Sequence, residues 1–143
     1  VFYQYKFRTM KKNTPEKPTE FFKKKEVEKY VLNCGHFMRK FSIDEFPQLI
    51  NVVRGDINIV GPRPGLEMQT KLLDARSSRD IYSIKPGITG LAQILGYDMS
   101  DPKKLAEIDE IYIINKSFNL DILIILGTFF DSPKQILRKK FKI

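Results

Sequence analysis

Between residues 41 and 56, apolar and polar positions follow the period of a short amphipathic helix. Four apolar residues recur at helical spacing, which places them on one face: Phe46, Leu49, Ile50 and Val53. Gly55 comes next, and glycine commonly ends a helix in the left-handed conformation. Ser42 and Glu45 predict a capping box at the start. With Asp44 as the cap instead, Pro47 falls in the first turn, where its missing N–H does no harm.

The middle of the chain predicts further short elements. Residues 57–60 and 82–85 resemble strands. The glycines within residues 86–90 indicate a corner where the backbone closely approaches another backbone or a ligand. Residues 66–75 have helical composition, with three leucines expected in the core: Leu66, Leu72 and Leu73.

Polar residues mark the end of the helix predicted at residues 66–75 and the start of another helix further along the chain. Arg76 and Arg79 are expected just beyond the first, either in solvent or facing a substrate. Asp101 and Pro102 predict the start of a second helix, as its cap and first helical residue. One face of that second helix is apolar: Leu105, Ile108, Ile111 and Tyr112.

The two ends of the chain differ in character. Residues 1–5 predict a strand that continues into Lys6 and Arg8 on one side. Residues 11–29 read as a polar surface loop that enters a helix; the lysines at 23–25 are solvated or contact anionic lipid. Residues 117–130 are strongly apolar, which indicates burial in the core or immersion in a membrane interface. The tail interleaves basic and apolar residues, as in an interfacial anchor: Ile136, Leu137, Arg138, Lys139, Lys140, Phe141 and Lys142.

Composition limits the class of protein. The chain has 143 residues, 42% of them hydrophobic, and a net charge of +8, which predicts one domain with an acidic partner such as nucleic acid, anionic lipid or a nucleotide. Cys34, the single cysteine, excludes an intrachain disulfide and is expected to be buried or inert. With His36 as the single histidine, a zinc site would need carboxylates to complete it. We expect no signal peptide and no spanning helix, since the longest apolar run, residues 122–127, is far below about 20 residues.

The acidic pair at the start of the residue 41–56 segment has two interpretations. As ordinary first-turn acids, Asp44 and Glu45 would only favour the helix N-terminus, by roughly 0.3–1 kcal/mol. The same place is also suited to a phosphate. A phosphate beside two carboxylates needs counter-charge, which Arg39, Lys40, Arg63 and a divalent cation can supply.

Several motifs in this order resemble the bacterial sugar transferase family, the monotopic phosphoglycosyl transferases. They are KFRTM at 6–10, FSIDEFPQL at 41–49, NVVRGD at 51–56, VGPRP at 60–64 and PGITGLAQ at 86–93, followed by Tyr112, Asn115, Ser117, Leu120 and Asp121. The resemblance covers nearly the whole chain. It implies an α+β fold, predominantly α-helical with short strands: a membrane-associated catalytic domain spanning residues 1–143. We do not expect the family's N-terminal membrane hairpin within residues 1–143.

The family's chemistry implies roles for particular residues. The expected donor is a nucleoside diphosphate-sugar, usually a UDP-sugar, and the acceptor is polyprenyl phosphate at the cytoplasmic face of the bacterial inner membrane. Asp44 matches the family nucleophile and Glu45 its partner, with Mg²⁺ expected on this pair. Four basic residues are candidates for binding the donor phosphates, the last two more weakly: Arg39, Arg63, Lys6 and Arg8.

Two observations weigh on that interpretation. Residues 96–99 read GYDM, where many members of the family carry a basic sequence with an arginine that is a candidate for recognising the nucleotide. The resemblance therefore leaves the donor's identity open. A non-catalytic basic module that binds anionic membrane or nucleic acid would also fit the charge. Nucleic acid is not expected as a partner, because the chain has no recognised nucleic-acid motif and no aromatic residues interleaved with its basic runs in a stacking pattern.

Overall fold

The computed structural model describes residues 2–15 and 24–143, and only the main chain of Lys24 and Lys25. The chain forms two compact units, Val1–Asp56 and Ile57–Ile143. Both contain helices, and the described residues form one small parallel sheet of two strands, which confirms a mainly helical fold with short strands. Within the described residues, no helix combines the length and apolar character needed to cross a bilayer. A single domain over 1–143 stays a prediction.

The first unit is helical, with an irregular N-terminal segment. Its helices are α1 (Lys24–Tyr30), α2 (Asn33–Lys40) and α3 (Gln48–Arg54). The predicted strand at the N-terminus is wrong: residues 2–9 pair with no strand, and the segment joins the unit through an isolated antiparallel bridge from Met10 to Val31. Helix α1 confirms that the polar segment enters a helix, while the suggested lipid contact of side chains 23–25 lies outside the described residues.

The start predicted for the acidic helix is wrong in both registers. Ser42 has φ 54° and its side chain accepts no capping hydrogen bond. A single 3₁₀ turn, Ile43–Glu45, follows, and α3 begins only after Pro47. Proline has no N–H to donate to the preceding turn, so the helix restarts behind it. The predicted end is confirmed, because Gly55 adopts φ 77°.

Helix α3 turns its polar face inward. Its apolar face is exposed, and Val53 is 89% accessible, whereas Asn51 is 0% exposed. The Asn51 amide nitrogen donates to the Tyr3 carbonyl at 2.8 Å, and its oxygen accepts from the Tyr5 amide at 3.1 Å. Beside it, the Gln4 amide nitrogen donates to buried Gln48 Oε1 at 2.9 Å. Buried polar groups are stabilised by such bonds. The polar face of α3 therefore binds the N-terminal segment to the helix.

The second unit is built on two parallel strands, β1 (Asn58–Val60) and β2 (Gly87–Thr89), in the register Asn58 to Gly87 and Val60 to Thr89. The strand predicted at 57–60 is confirmed, and the one predicted at 82–85 is wrong. Ile81–Ser83 is a 3₁₀ turn. The close approach expected for residues 86–90 is confirmed, because a Cβ on Gly87 would lie 2.1 Å from the Gly61 nitrogen.

Five helices in the described part of this unit enclose its core. They are α4 (Thr70–Ser77), α5 (Leu91–Ile94), α6 (Pro102–Ile114), α7 (Phe118–Phe129) and α8 (Asp131–Phe141). The predicted start of α6 is confirmed, with Asp101 Oδ1 accepting from the Lys104 amide at 3.0 Å. Its apolar face supplies much of the core, together with Val60, Leu72, Leu91, Leu120, Ile124 and Leu137.

Two expectations about burial are wrong in the second unit. Leu66 is exposed, because α4 begins only at Thr70. Arg76 lies inside α4 and is buried, since it is paired with buried Asp109. Cys34 in the first unit is exposed rather than buried, while its inertness stays a prediction. Within residues 117–130, Leu120 and Ile124 are buried in the core while Phe118 and Phe129 are largely exposed; immersion of the exposed residues in a membrane interface stays a prediction.

Candidate active site

The acidic pair lies on the 3₁₀ turn between α2 and α3, where both residues are partly buried. The Phe7 amide donates to the Asp44 carbonyl at 3.0 Å, which ties the N-terminal segment to this turn. One residue earlier, the Lys6 ammonium contacts Glu45 Oε1 at 2.8 Å. The segment that α3 holds through its polar face therefore delivers a cation to the acidic pair.

The two carboxylates have different surroundings. Glu45 is neutralised by Lys6, in an ion pair that is roughly one quarter exposed. The Asp44 carboxylate has no hydrogen bond or ion pair among the described residues. Lys6 thus offsets the charge of Glu45, while the Asp44 carboxylate has no partner among the described residues and remains available to attack an electrophile.

Arg39 lies in the last turn of α2 and is held from one side. Its Nε donates to Thr9 Oγ1 at 2.9 Å, and its two Nη groups have no partner within the described part of the chain. Thr9 is buried against Gly35, where a Cβ would come within 2.5 Å of the Thr9 carbonyl oxygen. Thr9 therefore orients Arg39, although sequence analysis gave it no role; its place in the KFRTM motif was the available signal.

The other basic candidates of this unit differ in their contacts. Arg8 is exposed, and its side chain makes no hydrogen bond or ion pair among the described residues. Lys40, also exposed, places its ammonium 5.6 Å from the centre of the Phe41 ring. The structure thus brings Lys6 onto Glu45 and Thr9 onto Arg39, while a phosphate-binding role for Lys6, Arg8 and Arg39 stays a prediction.

Arg63 belongs to the second unit, in the corner that follows β1. Its side chain is exposed, while its carbonyl oxygen accepts from Arg76 Nη1 at 2.7 Å. Arg76 in turn donates from Nε and Nη2 to Asp109 Oδ2 at 3.0 and 2.7 Å. Burial raises the pKa of the Asp109 carboxyl, and the guanidinium opposes that rise.

A second polar contact, made by the Tyr112 hydroxyl, lies at the end of β1. The Tyr112 hydroxyl donates to Asp121 Oδ1 at 2.8 Å, and its oxygen lies 3.3 Å from the Val60 carbonyl oxygen. Burial, and then the Asp121 carboxylate, raise the pKa of Tyr112 far above its ordinary value. The phenol therefore stays neutral and links α6 to α7 at the end of the strand that leads into the Arg63 corner.

The residues present fit a magnesium ion that arrives with a substrate, but not a closed protein site. Among the described residues, no group of three or more His, Cys, Asp and Glu side chains is placed to hold a metal. Mg²⁺ is commonly held by one or two carboxylates, with substrate phosphates and water completing its shell. Asp44 and Glu45 satisfy that requirement.

Comparisons with known proteins agree with the motifs. Residues 1–135 match the sequence model of the bacterial sugar transferase family. A Bacillus subtilis protein named "Uncharacterized sugar transferase EpsL" is 41% identical over 124 residues, covering 87% of this chain and 59% of the relative. The "Exopolysaccharide production protein ExoY" of Sinorhizobium fredii is 38% identical, covering 86% and 60%.

An Escherichia coli relative carries a more specific name. The "UDP-glucose:undecaprenyl-phosphate glucose-1-phosphate transferase" is 36% identical over 135 residues, covering 88% of this chain and 28% of the relative. The chain thus spans about three fifths of the length of the first two relatives. From the extent of the family match and these identities, the chain belongs to the bacterial sugar transferase family.

Proposed function

We propose that this chain is the catalytic part of a phosphoglycosyl transferase. It transfers a sugar-1-phosphate from a UDP-sugar to polyprenyl phosphate through a covalent aspartyl-phosphosugar. Two relatives carry names of this reaction, from Escherichia coli and Xanthomonas campestris. The observation that carries the proposal is the asymmetry of the acidic pair: Glu45 is neutralised by Lys6 at 2.8 Å, while the adjacent Asp44 carboxylate is not engaged by a described residue.

In the first half-reaction, an Asp44 carboxylate oxygen attacks the phosphorus that carries the sugar. The bond from this phosphorus to the bridging oxygen of the diphosphate breaks, and UMP leaves with the bond's electron pair. The product on the protein is a mixed anhydride of Asp44 and the sugar phosphate. An aspartate suits this step because it is ionised at neutral pH and forms an acyl phosphate that can be displaced again.

In the second half-reaction, a phosphate oxygen of the polyprenyl carrier attacks the same phosphorus. The bond to the Asp44 oxygen breaks, which restores the carboxylate and yields polyprenyl diphosphate-sugar. Each half-reaction forms one phosphorus–oxygen bond and breaks one, so neither needs a further reactant.

Charge is the main obstacle to both steps, since carboxylates and diphosphate repel each other. At about 4 Å, two like unit charges repel by roughly 4 kcal/mol at an effective dielectric near 20. Lys6 offsets Glu45, and Arg39, oriented by Thr9 at 2.9 Å, has its Nη groups available for phosphate oxygens. Arg63 and Arg8 are proposed for the same task, because a guanidinium binds phosphate through two parallel hydrogen bonds.

Magnesium is proposed as the cofactor, held by Asp44 and Glu45 together with the donor's phosphates. When bound, it supplies positive charge that stabilises the phosphate oxygens during transfer. Asp44 and Glu45 lie on one 3₁₀ turn, so the protein's own contribution is to present two adjacent carboxylates to the diphosphate.

The membrane surface is the proposed partner, at the cytoplasmic face of the bacterial inner membrane. Exposed apolar side chains occur on both units, taken separately. In the first they lie just before α3 and on its outer face: Phe46, Leu49, Ile50 and Val53. In the second they lie on and beside α7 and α8, near exposed lysines and Arg138: Phe118, Phe129, Phe130 and Ile136. Such apolar faces with cationic neighbours suit the headgroup boundary of an anionic bilayer.

The test is UMP release by the protein that contains this chain, incubated with UDP-sugars, Mg²⁺ and polyprenyl phosphate. Asp44→Asn should lower the rate by about 10³-fold or more, as expected when a nucleophile is removed. Asp74→Asn makes the same chemical change at an exposed position of α4 and should leave the rate within about twofold. A phosphosugar adduct on the Asp44 peptide would support the mechanism, and equal release by the wild type and Asp44→Asn would refute it.

A further inference from the structure

Arg76 donates hydrogen bonds to two partners from a buried position. It is 2% exposed, which is unusual for arginine unless the charge is paired. One edge of its guanidinium donates twice to Asp109 in α6, at 3.0 and 2.7 Å. The remaining nitrogen, Nη1, donates to the Arg63 carbonyl oxygen at 2.7 Å. The same group thus joins α4, α6 and the corner after β1.

The corner itself is held by its main chain at three successive residues. The Gly61 amide donates to the Thr89 carbonyl at 2.9 Å, and the Pro62 carbonyl accepts from the Gly87 amide at 2.9 Å. Arg76 holds the third residue, Arg63, by its carbonyl. Proline at 62 and 64 fixes φ on either side. The main chain of the corner is therefore constrained at each step, while the Arg63 side chain remains exposed.

A purely structural role would be to tie α4 to α6, and the contacts favour more than that. Burying an ion pair carries a desolvation penalty that can exceed its attraction, so well-packed apolar residues would often join two helices as well. A second pair, Arg79 with Glu110 at 3.4 Å, also connects this region of the chain to α6 at the surface. The packing of α4 on α6 does not need the additional hydrogen bond from Arg76 to the Arg63 carbonyl. That bond instead fixes the main chain of the corner.

We infer that Arg76 and Asp109 form a positioning pair, which fixes the Arg63 main chain so that the exposed guanidinium meets the diphosphate of the donor. The inference rests on the proposed function, since it takes the donor phosphates as the ligand of Arg63. Asp109 orients the guanidinium of Arg76, and Arg76 transmits that orientation to the corner. Neither residue touches the substrate.

A double-mutant cycle on kcat/KM for the UDP-sugar tests this inference. Arg63→Ala should lower kcat/KM by about 10- to 100-fold, as loss of a charged hydrogen-bonding group does. Arg76→Lys keeps the charge, but one ammonium cannot replace a planar guanidinium that binds both Asp109 and the corner. It should lower kcat/KM by about tenfold, chiefly by raising KM. In the Arg63→Ala background, Arg76→Lys should have no further effect beyond about twofold, because residues that act through one another are not additive.

Arg79→Lys is the matched control, since Arg79 belongs to the surface pair and does not contact the corner; its kcat/KM should stay within about twofold of wild type. Asp109→Asn, in the same cycle, should reproduce the behaviour of Arg76→Lys. Thermal unfolding establishes that each variant is folded.

Two kinds of failure are distinguishable. If Arg76→Lys lowers kcat/KM by the same factor with and without Arg63, the pair supports the fold generally and the positioning role is overturned. Loss of folding in both Arg76→Lys and Asp109→Asn would overturn it in the same way. Wild-type kinetics in Arg63→Ala would instead remove the proposed phosphate contact of Arg63, and the positioning role with it, while leaving the Asp44 mechanism to its own test.

Discussion

Replacing Gly87 by alanine tests how closely the two strands of the second unit must approach. The added Cβ would lie 2.1 Å from the Gly61 amide nitrogen and 2.6 Å from the Val60 carbonyl carbon, whereas ordinary contact begins at 3.4 Å. Both neighbours are main-chain atoms, so no side chain can rotate away. The strands must move apart by roughly 1 Å or more, because atoms in a packed interior cannot overlap.

The free energy of unfolding should fall accordingly. Separation strains the bonds from the Gly61 amide to the Thr89 carbonyl and from the Gly87 amide to the Pro62 carbonyl, both 2.9 Å. Each is worth about 1 kcal/mol net, and overpacking adds about 1–3 kcal/mol. We expect Gly87→Ala to destabilise the protein by about 3–5 kcal/mol, a large share of the 5–15 kcal/mol typical of a folded protein.

Urea unfolding of the detergent-solubilised protein measures this loss. Gly96→Ala is the matched control: a Cβ there meets nothing within 4 Å, but the backbone has φ +84°. Its cost should be the left-handed strain alone, about 1–2 kcal/mol. If Gly87→Ala destabilises the protein no more than Gly96→Ala does, the steric account of the strand contact is refuted.

Three further substitutions examine other parts of the two units. Lys6→Met should change the free energy of unfolding by less than about 1 kcal/mol, because a partly exposed ion pair contributes little. It should nevertheless lower UMP release by at least about tenfold, because an uncompensated carboxylate repels the diphosphate. Asn51→Leu should cost about 1–3 kcal/mol in urea unfolding, since the main-chain groups of residues 3 and 5 lose the hydrogen bonds to this side chain. Burial raises the pKa of Tyr112, so the unfolded state ionises first and stability falls above about pH 10; Tyr112→Phe should remove this component from the pH dependence of urea unfolding.

Each of these variants has a control of similar character. Lys134 pairs with Asp131 at 2.8 Å, and its side chain is 31% exposed, like that of Lys6; Lys134→Met should leave both stability and UMP release nearly unchanged. Val53→Asn, on the exposed face of α3, should be neutral within about 0.5 kcal/mol. Tyr82→Phe, at an exposed tyrosine, should keep the alkaline loss of stability. Equal effects within any mutant–control pair would contradict the corresponding argument.

Local signals in the sequence predicted several elements correctly. The start of α6 follows from Asp101 and Pro102 alone, and its buried face from helical spacing, because both depend on residues within a few turns. The strand at 58–60 and the left-handed Gly55 were likewise visible. The 3₁₀ turn ahead of α3 was not predicted. The Ser-x-x-Glu pattern is common at helix starts, and the sequence did not show that Pro47 would separate this turn from the helix.

Contacts between distant residues explain what the local patterns did not predict. The inward face of α3 is polar because Asn51 binds the main chain of residues 3 and 5, more than forty positions away. Arg76 is buried because Asp109, 33 residues later, neutralises it. The second strand was predicted too early because glycine is depleted in strands, whereas here Gly87 is what allows the strands to meet. The motifs identified the candidate residues, and the fold supplied the partners Thr9 and Arg76.

The hydrogen bonds between α3 and the N-terminal segment limit how far the expressed chain can be shortened at its N-terminus. A shortened version that begins after residue 9 would lack Tyr3 and Tyr5, and the Asn51 side chain would lose two of the three hydrogen bonds that it makes among the described residues. It would also lack Lys6, the cation on Glu45. Such a fragment would be less stable and would also lack the cation that offsets Glu45. If it were soluble but inactive, the loss of activity would therefore not test the role of Asp44. Useful cloning boundaries therefore lie upstream of residue 3.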